Sequence, residues 1–391
     1  MYRKLSALFC LFFAILLITG QKSKVVVLGV GHSSQLINYH QQPAAIRAFI
    51  NKVKPSAICI ERAPEEFAKN DFYEFTYEQQ YLTIPYSIEN KIPLHPIDWM
   101  PPESDTELGF GIKNLEVPRF IRQKEGFLGF TTFSEKKDFE DSLYFADKKS
   151  YAEGIASWYS LHQDKTASDL PRRMFLYRTY LQAGRIKKVL ENYSGSDTIL
   201  VIVGAFHKND IEKNLSENGY SIIQPSSFGV ISESDIRDQF RKEDAYAILS
   251  FNLLGMQSHL RKINEKLVEC AFEHLANEKS VESQFLEVRR SVLFEKITSR
   301  QSIVRYLELL DKAEQEQWVW TGVKDKSRID SYFDPFGNLS LKDRIRLELA
   351  REYRKCSKLK DFQKHFDIIS SNLSPYKKAM FDIYTEKYLN L

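Results

Sequence analysis

Two short stretches place residues able to do chemistry at the same spacing: Gly29-Val30-Gly31-His32 and Gly204-Ala205-Phe206-His207. Each sets an imidazole three residues after a glycine and just behind a run of aliphatic residues. Imidazole changes charge near neutral pH and is a common metal ligand. Glu61 and Asp98 stand in the same relation to two further apolar runs. Two imidazoles and a carboxylate form a frequent ligand set for a divalent ion that keeps a position open. Such an ion brings the pKa of a bound water from about 15.7 to about 7, the chemistry of amide and ester hydrolysis. His32, Glu61 and His207 are therefore the expected metal ligands and catalytic residues, with Asp98 completing the set or orienting a histidine. Each has a plainer alternative. A histidine past a strand can be an ordinary loop residue, Glu61 can pair with Arg62, and Asp98 can cap a helix or turn.

The elements that must position these side chains follow from the apolar runs. Residues 24–28 and 198–203 are uninterrupted and closed by glycine, so they read as strands buried on both faces. The run 56–60 stops at Glu61, and 92–97 stops at Asp98. In open parallel sheets ligands bind outside the carboxyl ends of the strands, which lets these four distant positions share one cleft. Residues 44–50 have helical spacing, and Lys54-Pro55 ends that helix before the Glu61 strand, a βαβ unit. Met174, Tyr177, Leu181, Ile186 and Leu190 mark a helix ahead of the His207 strand, and residues 221–223 form a short strand leading to Pro225. Residues 100–160, with Gly109, Gly111, Gly126 and Gly129, read as an insertion of helices and loops over the carboxyl edge of the sheet. The expected fold is α/β over residues 21–242, a central, mostly parallel sheet with flanking helices. An all-α carboxyl-terminal region follows over 243–391. There Ile345, Leu349, Tyr353 and Cys356 share a helical face, as do Phe362, Phe366 and Ile369, and again Tyr376, Met380 and Tyr384. Stacked helical hairpins without a fixed period would suit this region, which is also the candidate surface for a protein partner.

Residues 1–20 carry Arg3 and Lys4 before the apolar stretch 5–18, and Thr19-Gly20-Gln21 offers a cleavage point, the pattern of a secretory signal peptide. Export to the periplasm or the cell exterior is expected, with an uncleaved membrane anchor as the alternative. Cleavage removes Cys10 and leaves Cys59, Cys270 and Cys356, which form no disulfide framework. The net charge of +3 is spread without a basic block, which argues against nucleic acid as a partner. No Gly-x-Gly-x-x-Gly or Walker pattern follows the first strand, and no Gly-x-Ser-x-Gly elbow appears. His95 alternates with apolar residues and reads as packed. His40, His162, His259, His274 and His365 lack partners at ligand spacing. Phe72, Tyr73, Phe75, Tyr77, Tyr81 and Tyr86 could line a substrate groove, although packing is the ordinary role of such a cluster. Trp318, Trp320, Tyr332 and Phe333 carry the same two readings. Arg172 and Arg173 could hold a substrate carboxylate or simply begin a solvated helix.

Taken together, strand-Gly-x-x-His32, Lys54-Pro55 followed by a strand ending in Glu61-Arg62, and Val203-Gly204-x-x-His207 resemble the TraB/GumN and Tiki group over residues 22–230. That group shares a superfamily with erythromycin esterases and ChaN-type haem-binding proteins. The resemblance implies an α/β fold around a central sheet. It also implies that His32, Glu61 and His207 correspond to the two histidines and the glutamate of Tiki proteins, described as metal-dependent proteases; manganese, cobalt or zinc would be the ion. Erythromycin-esterase relatives are thought to use histidine and glutamate as a metal-free acid and base, whereas ChaN-type relatives bind a ligand without turnover. The Arg-Asn pair found ahead of the second motif in several of these families is not evident here, where Arg172-Arg173-Met174 stands instead. The functional expectation is an exported, metal-dependent hydrolase acting on a peptide or a small-molecule ester. The alternative is a non-catalytic haem, metal or peptide-binding protein of the same fold.

Overall fold

The structure, a computed structural model, describes residues 22–70, 76–99, 132–162, 164, 166–313, 317–319, 327–331 and 333–388. The amino-terminal signal-like segment, the glycines between 109 and 129, Phe72, Tyr73, Phe75, Trp320 and Tyr332 lie outside these residues. No helix among the described residues is long and apolar enough to cross a membrane.

Five strands form one parallel sheet: β1 (Lys24–Val30), β2 (Ala57–Ile60), β3 (Leu94–Pro96), β4 (Thr198–Gly204) and β5 (Ser221–Ile222), in the order β3-β2-β4-β1-β5. The α/β class expected from the alternating runs is the class observed. The strands are apolar throughout because both sheet faces are covered. Val26, Leu28, Val30, Ile58, Ile60, Leu200 and Ile202 point to one side, against Ile46, Phe49 and Ile50 of helix α1 (Pro43–Val53). Val25, Val27, Ala57, Cys59, Ile199, Val201 and Val203 point to the other, against α4 (Thr166–Leu190) and α5 (Ala205–Glu217). This is the period of two that a pleated strand imposes. Between these lie α2 (Ile84–Asn90) and α3 (Lys149–Ser160). Cys59 sits in the core, where burial pushes its thiol up to about 12, so it behaves as an apolar side chain.

Two details go beyond the sequence reading. β1 and β2 are parallel and joined through α1, but β4 lies between them, so the first strand-helix-strand unit is split by a strand that arrives far later in the chain. In α4 the buried stripe is Thr179, Gln182, Ala183, Ile186 and Leu190, whereas Tyr177 is exposed. The helix lies where the apolar spacing put it, and part of its buried face is polar and has partners.

The described residues fall into two compact units. The first comprises the described residues of Met1–His32, Ala45–Pro118 and Ser142–Ile236 and contains the sheet. The second comprises those of Ser33–Ala44, Arg119–Asp141 and Arg237–Leu391. The second unit is helical, with α6 (Lys242–Leu253), α7 (Glu265–His274), α8 (Val281–Leu293), α9 (Ser299–Lys312), α10 (Leu341–Lys355), α11 (Leu359–Ser371) and α12 (Pro375–Tyr388). α8 packs on α9, α9 on α10 and α10 on α11. Ser280, Thr298 and Ser340 cap α8, α9 and α10 by accepting a backbone N–H in the first turn. Ile345, Leu349 and Tyr353 are buried as one face of α10, and Ile369, Met380 and Tyr384 are buried in the helices that follow.

Candidate active site

Strand register explains how the two glycine motifs meet. Gly29 lies beside Val203 and Val30 beside Gly204, so β1 and β4 end level with each other. β2 flanks β4 on its other side, with Ile60 beside Ile202. Glu61, His32 and His207 therefore lie one, two and three residues past the ends of three adjacent strands.

Glu61 is the centre of the arrangement and is 1 % exposed. Its Oε2 accepts the backbone N–H of Gly204, and its Oε1 accepts Nη2 of Arg178 at 2.7 Å. His32 Nε2 lies 3.7 Å from Oε2, and His207 Nε2 lies 3.7 Å from Oε1. These separations are too long for direct hydrogen bonds and leave each nitrogen facing the carboxylate across a gap. Gly204 makes the approach possible, since a Cβ there would stand 2.6 Å from His32 Nε2. His32 itself has φ of 48°, the left-handed region uncommon outside glycine. Histidine is among the residues enriched there, and such conformations concentrate at functional sites.

Hydrogen-bond bookkeeping settles both imidazole tautomers. His32 Nδ1 lies 2.8 Å from Glu78 Oε1, and a carboxylate can only accept, so Nδ1 carries the proton. Thr179 Oγ1 lies 2.7 Å from His207 Nδ1 and donates its one proton to Phe175 O at 2.8 Å. Thr179 therefore accepts from Nδ1–H of His207. Both rings are held from behind, and both turn Nε2 toward Glu61. Gln79 steadies the first pair, donating to Glu78 Oε1 at 3.1 Å and to Ile202 O at 3.3 Å. Glu78 and Gln79 begin a π-helical turn, Glu78–Thr83, that runs into α2. Single π turns of this kind often mark functional positions.

The two histidines are driven apart electrostatically. For His32, burial alone would lower the pKa, but the Glu78 and Glu61 charges and the Glu78 hydrogen bond outweigh it and raise the value above 6.5. For His207, burial dominates and, with Arg178 adding to it, brings the pKa down to about 4 against the opposing pull of Glu61. The ring of His207 is thus neutral at pH 7.

Arg178 joins the site to Asp98. Its Nε donates to Asp98 Oδ1 at 2.7 Å and its Nη2 to Oδ2 at 2.5 Å, while Gln182 donates to Oδ1 at 2.7 Å. Burial would raise the Asp98 pKa, and the guanidinium reverses that, holding the carboxyl below its usual range. Asp98 is thus neither a helix cap nor isolated, and the cation on Glu61 is Arg178. Arg185 adds a bond to the Asp98 carbonyl. The structure brings His32, Glu61, His207 and Asp98 together as the strand ends suggested, and adds Glu78, Arg178, Thr179 and Gln182, which the sequence reading missed. A trace was present: Arg178, Gln182 and Arg185 recur at helical spacing on one side of α4. His95, read as packed, bonds Tyr193 Oη at 2.9 Å. Tyr77 and Tyr86 are buried, in keeping with packing, and so is Phe333. Arg172 lies over the Trp158 ring at 5.4 Å and donates to the Trp158 carbonyl.

No protein-family model, curated protein or solved structure matches the chain. The chemistry must therefore be read from the side chains themselves. The expected metal shell of His32, Glu61 and His207 does not fit a divalent ion as arranged. Both Glu61 oxygens already accept N–H groups, and the Arg178 guanidinium neutralises the carboxylate that would compensate the ion. Among the described residues, no three His, Cys, Asp or Glu side chains are grouped to hold a metal. What the arrangement does provide is two fixed Nε2 atoms of very different basicity, facing one buried carboxylate.

Proposed function

We propose that this site hydrolyses an ester or peptide bond by acid–base chemistry, and that the protein is exported to do so. The observation that carries the reading is the pair of imidazoles, each pinned through Nδ1 and each turning Nε2 to Glu61, with pKa values pushed in opposite directions. Divergent pKa values around one cleft are how acid and base roles are divided.

A water molecule placed before Glu61 would meet two acceptors. Neutral His32 takes one proton at Nε2 as the water oxygen attacks the carbonyl carbon. The imidazolium so formed is stabilised by Glu78 behind it and Glu61 before it, then returns the proton to the departing oxygen or nitrogen. His207 Nε2 accepts the other water hydrogen and fixes the direction of attack. Asp98 and Gln182 act through Arg178, holding the guanidinium that positions Glu61.

The surroundings of His207 favour substrates with an apolar group beside the scissile bond. Phe175 stacks on the His207 ring at 5.0 Å, and Trp158 meets Phe175 and Phe206 at 5.5 and 6.1 Å. Phe206, inside the second glycine motif, is 48 % exposed. The test is a panel of nitrophenyl esters and fluorogenic peptides with aromatic, aliphatic and charged flanking groups. Cleavage of the apolar members is expected, falling by about 10²- to 10⁴-fold in His32→Gln, the usual contribution of a general base. Absence of cleavage across the panel, or equal rates in the variant, would end this reading.

A further inference from the structure

The helical unit contains a second, charge-rich site around Glu348 of α10. Three guanidinium groups converge on this one buried carboxylate. Arg344 Nη1 reaches Oε1 at 2.6 Å, while Arg289 Nη1 and Arg351 Nη1 reach Oε2 at 3.1 and 3.0 Å. The other acidic group in the cluster, Asp334, meets Arg344 at 3.4 Å and accepts the Phe336 N–H at 3.0 Å. Three arginines against two carboxylates leave one positive charge in a nearly dry interior. Burial opposes ionisation of Asp334, and the Arg344 guanidinium beside it works the other way. Arg351 bears the consequence: burial holds its guanidinium down to about 10, and its Nε has no hydrogen-bond partner.

Arg289, Arg351 and Asp334 line a cavity of about 390 Å³. That volume falls within the range of ~300–1,000 Å³ typical of small-molecule sites. Glu352 and Lys355, also on its wall, pair with each other at 2.7 Å through Oε1 of the glutamate. Glu352 is 1 % exposed, and its Oε2 has no partner. Arg261 lies at the rim and is exposed. The wall thus offers uncompensated guanidinium donors, suited to forked bonds with a tetrahedral oxyanion, together with a buried carboxylate oxygen lacking a donor.

We propose that this cavity binds a small phosphate monoester that also carries a hydroxyl group, with phosphate on Arg351 and Arg289 and the hydroxyl donating to Glu352. The charge of the ligand supplies what the cluster lacks, and its hydroxyl satisfies the unpaired acceptor.

The experiment is calorimetric titration of the full chain, at constant chloride, with inorganic phosphate, glycerol phosphate and tartrate. Saturable binding of phosphate is expected, with glycerol phosphate tighter and tartrate weaker. Arg351→Gln is expected to weaken phosphate binding about tenfold or more, the loss of one charge-assisted contact. The same variant balances the cluster at two arginines against two carboxylates, so without ligand its thermal midpoint is expected to match or exceed that of the parent. A purely structural arginine would instead lower it. Glu352→Gln should keep phosphate binding and lose the advantage of glycerol phosphate. If Arg351→Gln does not fold, Arg261→Gln decides, with a weakening of a few-fold expected at the rim. Absence of saturable phosphate binding by the parent chain, affinity unchanged in the deciding variant, or tartrate preferred over phosphate would overturn the proposal.

Discussion

Arg178→Met is expected to lower the unfolding free energy by about 3–5 kcal/mol, the cost of leaving buried carboxylates without their counter-ion. Arg178 is the shared hydrogen-bonding partner of Glu61 and Asp98, which are 1 % and 0 % exposed. Methionine keeps the aliphatic stem and removes the charge, so the loss reports the ion pairs more than packing. The drop in thermal midpoint should be on the order of 10 °C. Its pH dependence provides a second check. In the parent, Asp98 has a depressed pKa, so its contribution is present above 3.8 and is lost as pH falls through the lower folded value. In the variant, burial is no longer opposed and Asp98 can protonate earlier. The stability gap should therefore be widest near neutral pH and narrow as pH approaches 3.8. Unfolding curves that coincide within about 0.5 kcal/mol at pH 7 would show that the network contributes little.

Glu78→Gln should alter the reaction more than the fold. Glu78 fixes the proton on His32 Nδ1 and supplies the largest of the effects that raise the His32 pKa. Hydrolysis requires neutral His32, so kcat/KM of the parent should rise with pH through a midpoint above 6.5. In the glutamine variant the raising charge is gone while burial still disfavours the imidazolium. The midpoint should then fall below 6.5, with a loss in plateau rate of about 10²-fold or more because the imidazolium formed during attack is no longer neutralised. A profile whose midpoint is unmoved would remove His32 from the role of base. A lower rate with an unmoved midpoint would point to a structural part for Glu78 alone.

The legibility of this chain follows burial. Strands such as residues 24–28 and 198–203 stand out because a parallel sheet covered on both faces needs no polar alternation, and each candidate residue could be found by looking just past such a run. His32, Glu61, Asp98 and His207 were accessible for that reason. Strand order was not, since placing β4 between β1 and β2 depends on pairing between segments more than a hundred residues apart. Arg178, Thr179 and Gln182 were hidden for a different reason. Polar residues within a helix look like a solvated face, and only their partners, Asp98, Glu61 and His207, reveal that they face the site. Glu78 and Gln79 were hidden by the aromatic residues around them and by a π turn that shifts the usual helical spacing. In the helical unit, the caps at Ser280, Thr298 and Ser340 and the spacing of Arg344, Glu348 and Arg351 along α10 are local signals, whereas the approach of Arg289 from α8 to the same carboxylate joins separate helices and leaves no local mark.

The most direct test of acid–base hydrolysis at Glu61 is the turnover of a cleaved panel substrate by the full chain after exhaustive dialysis against a chelator. The expected result is kcat/KM unchanged by dialysis and unchanged by added manganese, cobalt or zinc. Activity that disappears on dialysis and returns with one of these ions would contradict it and place a metal among His32, Glu61 and His207.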